Sequence, residues 1–223
     1  MTQGRWLIGF LTAFVIVMLF WIGYALTKER SAFSTQSVVA PSLKLKGPTI
    51  KITDPRIGPE TAPVKIVYFV DFGSENSVLT WPAIQSLLAE PEFKNKIQFI
   101  WKDFPSHANI FPESLVLHRA ARCAAVRGKF WEFQAAVFDV SNKIMLQEPV
   151  LDTILAQTHL AGAQMQSCID SPAIATLIDE NIHEGAQLGL VGTPAFFIGG
   201  KRFDGIPDYA TFMTAIRNSL GTH

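Results

Sequence analysis

Cysteine is scarce in this chain: only 2 of its 223 residues are cysteine, and they do not form a Cys-x-x-Cys pair. The sequence also lacks the GxxxxGKS/T, GxGxxG and HExxH motifs and any cluster of cysteine and histidine with zinc-binding spacing. Neither sign of charge prevails, because 19 Lys and Arg residues balance 19 Asp and Glu residues. These absences argue against nucleotide-binding enzymes, metal centres and nucleic-acid-binding proteins, and they predict no bound cofactor.

One long apolar run is present. Residues 6–26, WLIGFLTAFVIVMLFWIGYAL, carry no charge, and a helix of this length would span about 31 Å, close to one hydrocarbon core. Trp6, Trp21 and Tyr24 lie near its ends, where amphipathic rings prefer the headgroup level. The alternatives are a buried core helix and a cleaved signal peptide with residues 23–25 imitating a cleavage site. Those residues still belong to the apolar run, which favours an uncleaved transmembrane anchor.

The rest of the chain divides by composition. Residues 1–5 precede the apolar run, and residues 27–48 are polar and small with two prolines, which is typical of a linker. Residues 49–223 show the apolar periods of strands and helices, which predicts a globular domain. Lys and Arg occur on both sides of the apolar run, so their distribution does not choose the side of the membrane on which this domain lies.

Apolar patterning in this domain predicts alternating strands and helices. Ile50 and Ile52 form the pattern of a short edge strand, residues 64–72 and 97–101 that of buried strands, and residues 77–88 that of a helix between them. The later predictions are helices at 112–126, 130–140, 148–160, 163–169, 172–187 and 208–220, and hairpin strands at 195–198 and 201–203. This order predicts an α/β fold with a mixed sheet and a helical subdomain inserted at about residues 106–188.

Four strings in this order resemble the DsbA-like thioredoxin-fold family: IGPETAPVKIVYFVDF, KDFPSH, RAARCAAVRGKFWEF and VGTPAFFIGGKRFDGIPD. The resemblance covers residues ~50–220 and implies a thioredoxin-like mixed sheet with an inserted helical subdomain, here preceded by one transmembrane helix. In that family the turn after the first central strand carries Cys-x-x-Cys at a helix N-terminus. The helix dipole and free amides there lower the pKa of the first cysteine.

Alignment on this turn places Ser74 and Ser77 at the two cysteine positions, with Pro82 supporting the register. Tyr68 stands where relatives commonly hold a buried glutamate that handles protons, whereas Lys102 keeps the usual basic residue at the end of the next strand. Serine has no accessible redox couple and cannot attack a disulfide as a thiolate does. The resemblance therefore implies the fold without its redox chemistry, and we expect no catalytic residue.

Thr193 and Pro194 are the predicted binding residues. Composition alone predicts a trans bond between them, because only about 5–6% of X-Pro bonds are cis. The resemblance implies a cis bond and a loop that exposes the backbone of Thr193 to an extended peptide, a form of β-augmentation. This mode of binding needs no sulfur.

Cys123 and Cys168 leave three alternatives: a relocated redox pair, two buried thiols, or one disulfide within the helical subdomain. Relatives often carry cysteines at both places, so the resemblance favours the disulfide, and an oxidising compartment agrees with it. With the disulfide the domain is expected in the periplasm or an equivalent extracytoplasmic space. Residues 1–5 would then lie in the cytoplasm, and the chain would be a single-pass protein of the plasma membrane.

These features predict a binding or assembly module for protein partners of the membrane or periplasm, such as an accessory subunit of a membrane complex, with residues 6–26 as its membrane contact. One alternative is a glutathione-dependent transferase or isomerase using Ser74, because the turn also resembles that of kappa-class glutathione transferases and chromene-carboxylate isomerases. Another is an ordinary DsbA-like thiol-disulfide oxidoreductase. Four histidines have no metal-like spacing with one another and are interpreted as core or surface residues: His107, His118, His183 and His223.

Overall fold

The fold belongs to the unit Leu43–His223. The computed structural model describes residues 47–105, 113–144 and 150–221, together with Met18, Trp21 and Tyr24, which are helical. Within these described residues no helix is both long and apolar enough to cross a membrane. The predicted transmembrane helix at 6–26, apart from those three residues, and nearly all of the predicted linker at 27–48 lie outside the described residues.

Five strands of the described domain form one mixed sheet. The strands are β1 (Arg56–Ile57), β2 (Val64–Val70), β3 (Ile97–Asp103), β4 (Ala195–Ile198) and β5 (Lys201–Asp204). Their order across the sheet is β1-β3-β2-β4-β5, with β2 and β3 parallel and the other neighbouring pairs antiparallel. This is the mixed α/β sheet that the sequence pattern predicts.

The central strand β2 is buried on both faces. Its sequence, VKIVYFV, is rich in β-branched and aromatic residues, which suit a strand covered on two sides. Successive side chains point to opposite faces, so Tyr68 packs in the larger core cluster and Phe69 in the smaller one. The end of β2 therefore lies at the centre of the domain, and the turn that follows it is held between two packed layers.

The predicted edge strand at Ile50 and Ile52 is wrong. The Lys51 N–H donates to Asp54 Oδ2 at 2.7 Å, and the Asp54 N–H donates back to the Lys51 carbonyl at 3.1 Å. This local side-chain bond offers the backbone an alternative to a sheet ladder. The edge strand is instead Arg56–Ile57, which pairs with β3.

Seven helices lie in the described part of the domain. They are α1 (Glu75–Ala89), α2 (Ser114–Val126), α3 (Phe130–Ile144), α4 (Leu151–Gln157), α5 (Ala163–Ile169), α6 (Pro172–Gln187) and α7 (Tyr209–Gly221). Helices α2–α6 come between β3 and β4, as the predicted insertion at about 106–188 requires. Helix α4 is shorter than predicted; beyond it His159 takes a left-handed conformation with φ 55°, which is typical of a helix end.

Candidate binding site at the turn after the central strand

Residues 71–74, called the Ser74 turn from here on, join β2 to α1. Ser74 is the N-cap of α1, and its Oγ accepts the Ser77 N–H at 3.3 Å. The carboxylate of Asp71 accepts the Gly73 N–H at 2.7 Å through Oδ1. The first turn of a helix has backbone N–H groups without helical partners. The Ser74 side chain satisfies one such amide, and the Asp71 side chain bonds an amide of the turn that precedes the helix.

The Ser74 turn contacts the loop before β4. The Ser74 Oγ–H donates to the Thr193 carbonyl at 3.2 Å, and the Thr193–Pro194 peptide bond is cis. The Gly205 N–H donates to the Pro194 carbonyl at 2.8 Å, which brings the end of the hairpin to the same place. The structure thus brings the predicted site residues Ser74, Thr193 and Pro194 together, although 119 sequence positions separate Ser74 from Thr193.

The two serines of the turn differ in their surroundings. Ser74 and Thr193 are half-buried, whereas Ser77 is fully buried. The Ser77 Oγ accepts the Asp71 N–H at 3.5 Å, and the Tyr68 hydroxyl donates to the Ser77 carbonyl at 3.2 Å. Burial raises the pKa of Tyr68, and the bond to Ser77 only partly opposes this. Tyr68 is therefore a neutral hydroxyl that donates a hydrogen bond and supports α1 from within the core.

Behind the turn lies His118 of α2, which is fully buried. Its Nδ1 lies 2.7 Å from Asp103 Oδ1, and its Nε2 accepts the Phe72 N–H at 3.2 Å. Asp71 Oδ1 lies 3.9 Å from the same Nε2. Burial lowers the pKa of His118, but its hydrogen bonds and charge interactions with Asp103 and Asp71 outweigh burial and raise it above 6.5.

Asp103, at the end of β3, is surrounded by donors. It accepts from Trp101 Nε1 at 2.9 Å and from Arg122 Nε at 2.5 Å, besides its contact with His118. Burial raises the pKa of Asp103, but the charge of Arg122 and the bonds from His118 and Trp101 outweigh it and hold the pKa well below its usual range. The carboxylate is therefore ionised inside the protein, as a fully compensated buried charge can be.

The charged cluster continues on the far side of Arg122. Arg122 Nη2 lies 3.9 Å from Asp54, and the fully buried Lys102 Nζ lies 2.9 Å from Asp54 and 3.1 Å from Glu184 of α6. The Asn181 amide lies against Asp103 and Arg122. Buried ions persist only when paired, so this cluster ties the turn at residues 51–54 and helices α2 and α6 to the ends of two strands.

Most of this cluster was not predicted from the sequence. His118 was interpreted as a core or surface histidine, and no role was assigned to Asp71, Asp103 or Arg122. Two signals were available. Asp71 and Asp103 end two strands predicted to be neighbours, and His118 and Arg122 are four residues apart, which places them on one helix face. Charged side chains at such positions are expected to pair with one another when they are buried.

Three exposed apolar side chains lie in the segments that meet at the Ser74 turn. Val191 is 96% exposed, Ile206 next to Gly205 is 48% exposed, and Leu79 of α1 is 55% exposed. A groove between α1 and the start of α7 is lined by Thr80, Ala83, Ile84, Leu87, Pro207, Tyr209 and Phe212. These exposed apolar side chains and this groove are candidates for contact with a partner.

Comparison with known proteins now gives the family. A family model described as thioredoxin matches residues 51–218. The chain belongs to this thioredoxin family. Its fold is also that of solved thioredoxin-like structures, of which three are representative. A thioredoxin-like oxidoreductase from Silicibacter pomeroyi has a TM-score of 0.65 and 18% identity, over 77% of this chain and 94% of its own. The catalytic domain of Proteus mirabilis ScsC has a TM-score of 0.64 and 20% identity, over 77% of this chain and 91% of its own. The thiol-disulfide exchange protein α-DsbA2 from Wolbachia pipientis has a TM-score of 0.65 and 23% identity, over 75% of this chain and 88% of its own.

Curated relatives of this thioredoxin-family chain are longer proteins named as Na⁺/H⁺ antiporters. NhaA 1 of Mycolicibacterium vanbaalenii is 25% identical over 96% of this chain and 34% of its own length. NhaA of Herminiimonas arsenicoxydans is 24% identical over 95% of this chain and 32% of its own. NhaA 1 of Salinispora arenicola is 28% identical over 73% of this chain and 24% of its own. The chain thus spans about a third or less of the length of these relatives.

Both cysteines of this thioredoxin-family chain lie in the inserted helices. Cys123 of α2 and Cys168 of α5 are joined by a disulfide, and Cys123 is almost fully buried. Since the sequence has only two cysteines, neither is a free thiol. The structure thus shows the disulfide that the resemblance favours and excludes the alternative of two buried free thiols.

Proposed function

We propose that this chain is a membrane-anchored, extracytoplasmic thioredoxin-family protein that binds a protein partner and does not exchange disulfides. The observation that carries the proposal is the contact between Ser74 Oγ and the Thr193 carbonyl, at 3.2 Å. At the N-terminus of α1, where the resemblance implies a reactive sulfur, a hydroxyl joins the turn to the loop that contains Thr193 and Pro194, called the binding loop from here on. The Ser74 hydroxyl therefore has a structural role at the position where the resemblance implies a reactive group.

The chemistry of the two positions supports this proposal. Disulfide exchange requires a thiolate that attacks sulfur, and neither Ser74 nor Ser77 can provide one. Ser77 is fully buried and accepts a backbone amide. The chain's two cysteine sulfurs are already bonded to each other between α2 and α5. A relocated redox pair would have to open that bond and act from the inserted helices.

The backbone of the binding loop has groups that can pair with an extended peptide. A carbonyl oxygen has two lone pairs, so the Thr193 carbonyl can accept a second bond besides that from Ser74. Within the described residues the Thr193 N–H donates no hydrogen bond. An extended peptide could pair with both groups, while its side chains contact the exposed side chains of Val191 and Ile206. The geometry supports binding without requiring a cysteine in the partner.

The names of the relatives support a membrane transporter as the partner. The antiporters match this chain over about a third of their length or less, and we infer that the remainder carries the transport activity. In those proteins a region like this one is covalently joined to a transporter. Here residues 6–26 would provide the tether instead, so the same association would form between two chains. We therefore propose an accessory subunit of a membrane complex.

Affinity purification of the tagged full-length chain from native membranes in mild detergent tests the proposal. The wild type is expected to retain a membrane partner, and Val191→Asp combined with Ile206→Asp is expected to lose it. Val126→Asp is the matched control, because Val126 is 77% exposed at the end of α2, in the inserted subdomain. Retention of the partner by the double variant, or its loss in the control alone, would overturn the assignment of the binding surface.

A DsbA-like thiol-disulfide oxidoreductase is the second candidate, because the solved structures named above include such proteins and a disulfide is present. It requires Cys123 and Cys168 to cycle. Replacing both by alanine should abolish any exchange activity if this candidate is correct. If the protein binds a partner as proposed, the double variant keeps the partner as long as it stays folded.

A further inference from the structure

We propose that His118 is a pH-dependent switch that sets the conformation of the Ser74 turn. The consequence for partner binding rests on the function proposed above, whereas the switch itself does not. Its components are the buried ring, the Phe72 amide and the two carboxylates of Asp71 and Asp103.

The observed geometry requires a neutral ring. Nε2 accepts the Phe72 N–H at 3.2 Å, so this nitrogen must offer a lone pair. The ring proton then resides on Nδ1 and is donated to Asp103 Oδ1 over 2.7 Å. In this form His118 joins a backbone amide of the Ser74 turn to the end of β3.

A second proton cannot be added without rearrangement. Once protonated, Nε2 is a donor, and the Phe72 N–H loses its acceptor. The carboxylate next to Nε2 is Asp71, whose Oδ1 is 3.9 Å away. That oxygen already accepts the Gly73 N–H at 2.7 Å and the Ser114 hydroxyl. A bond from the imidazolium to Asp71 would therefore compete with contacts that shape the turn.

The charges around the ring favour this second form. Asp71 faces it from the end of β2 and Asp103 from the end of β3, both beside the ring. On α2 itself, Arg122 pairs with Asp103 and so offsets one carboxylate. The Asn181 amide of α6 also contacts Asp103, and Asp54 lies beyond Arg122.

Two carboxylates against one guanidinium leave the ring in a negative environment. The pKa of His118 accordingly lies above 6.5, despite burial, which acts in the opposite direction. The two hydrogen-bonding arrangements should therefore exchange at a pH above 6.5, with the neutral ring prevailing at the alkaline end.

The turn transmits the change to the binding loop. The Ser74 N–H donates to the Asp71 carbonyl at 3.1 Å, and the Ser74 hydroxyl donates to the Thr193 carbonyl at 3.2 Å. A shift of Asp71 or Phe72 thus changes the position of Ser74 relative to Thr193. Partner affinity at this surface is expected to change with the charge of His118.

Nuclear magnetic resonance of the full-length chain in detergent micelles tests the switch without any partner. With ¹³C-labelled histidine and ¹⁵N-labelled phenylalanine and serine, the His118 ring and the Phe72 and Ser74 amides should titrate with one shared midpoint above 6.5. The Phe72 amide resonance should move upfield as pH falls, because it loses its acceptor. Amides that stay constant while the His118 ring titrates, or a ring that does not titrate, would overturn the proposal.

Two variants assign the effect. His118→Gln should abolish the shared titration of the Phe72 and Ser74 amides, whereas His183→Gln, at an exposed position of α6, should leave it unchanged. If the amides of the His118→Gln protein still titrate as in the wild type, the proposal is wrong. If that variant does not fold, the wild-type titration decides alone. If the affinity purification captured no membrane partner, the proposed function would be refuted, whereas the proposed switch would be unaffected.

Discussion

Replacing Asp103 by Asn removes one charge from the centre of the buried cluster with almost no change in size. Asp103 is fully buried and accepts from Trp101, His118 and Arg122. The asparagine would leave the Arg122 guanidinium, itself nearly fully buried, with only Asp54 at 3.9 Å as a negative partner. Removing one partner of a buried ion pair typically costs about 3–5 kcal/mol. That is a large part of the roughly 5–15 kcal/mol by which a domain is stable.

The assay is urea unfolding of the full-length chain in micelles, followed by circular dichroism. Asp204→Asn is the matched control, because Asp204 forms an ion pair of 2.7 Å with Arg202 while its side chain is 58% exposed. Exposed pairs contribute about 1 kcal/mol or less. We expect a large loss of unfolding free energy for Asp103→Asn and a small one for Asp204→Asn. Equal losses would refute the argument that the cluster is held by its buried charges.

Three further predictions follow from the described contacts. Replacing Cys123 and Cys168 by alanine should lower the free energy of unfolding by about 4 kcal/mol, since 45 positions separate the two and chain-entropy arguments scale with loop size; a loss well below that would show that the disulfide constrains the unfolded chain little. Tyr68→Phe should cost about 1 kcal/mol by removing the bond to Ser77 without altering partner capture, and a loss of capture would give Tyr68 a direct role. Because the pKa of folded His118 lies above 6.5, its contribution to stability is fully present below that pH and is lost as pH rises through the folded-state pKa; the pH dependence of unfolding should flatten in His118→Gln, and an unchanged profile would contradict this.

Sequence patterning predicted the elements whose signals are local and strong. The β-branched run of β2 predicts a buried strand, and the helices at 163–169 and 172–187 have the predicted bounds, α5 and α6. The prediction of an edge strand was wrong because the Asp54 side chain accepts the Lys51 N–H, in the segment that the alternation of Ile50 and Ile52 assigned to a sheet. Short alternating segments carry too little information to exclude such a turn.

The site was predictable only where the family resemblance supplied long-range information. The contact between Ser74 and Thr193 joins positions 119 apart, and no local period indicates it. The cluster of Asp103, His118 and Arg122 was accessible in principle from strand ends and helix spacing, but charged residues are usually interpreted as surface residues. Only tertiary packing shows that these charges are inside.

The central claim is that hydroxyls at the start of α1 leave a protein that binds but exchanges no disulfides. The most direct measurement is the rate at which the full-length chain reduces insulin or oxidises a reduced peptide, compared with a Ser74→Cys, Ser77→Cys variant. The account predicts no turnover by the wild type and measurable exchange by the variant, because a helix N-terminus stabilises a thiolate. Turnover by the wild type that disappears when Cys123 and Cys168 are replaced would contradict it.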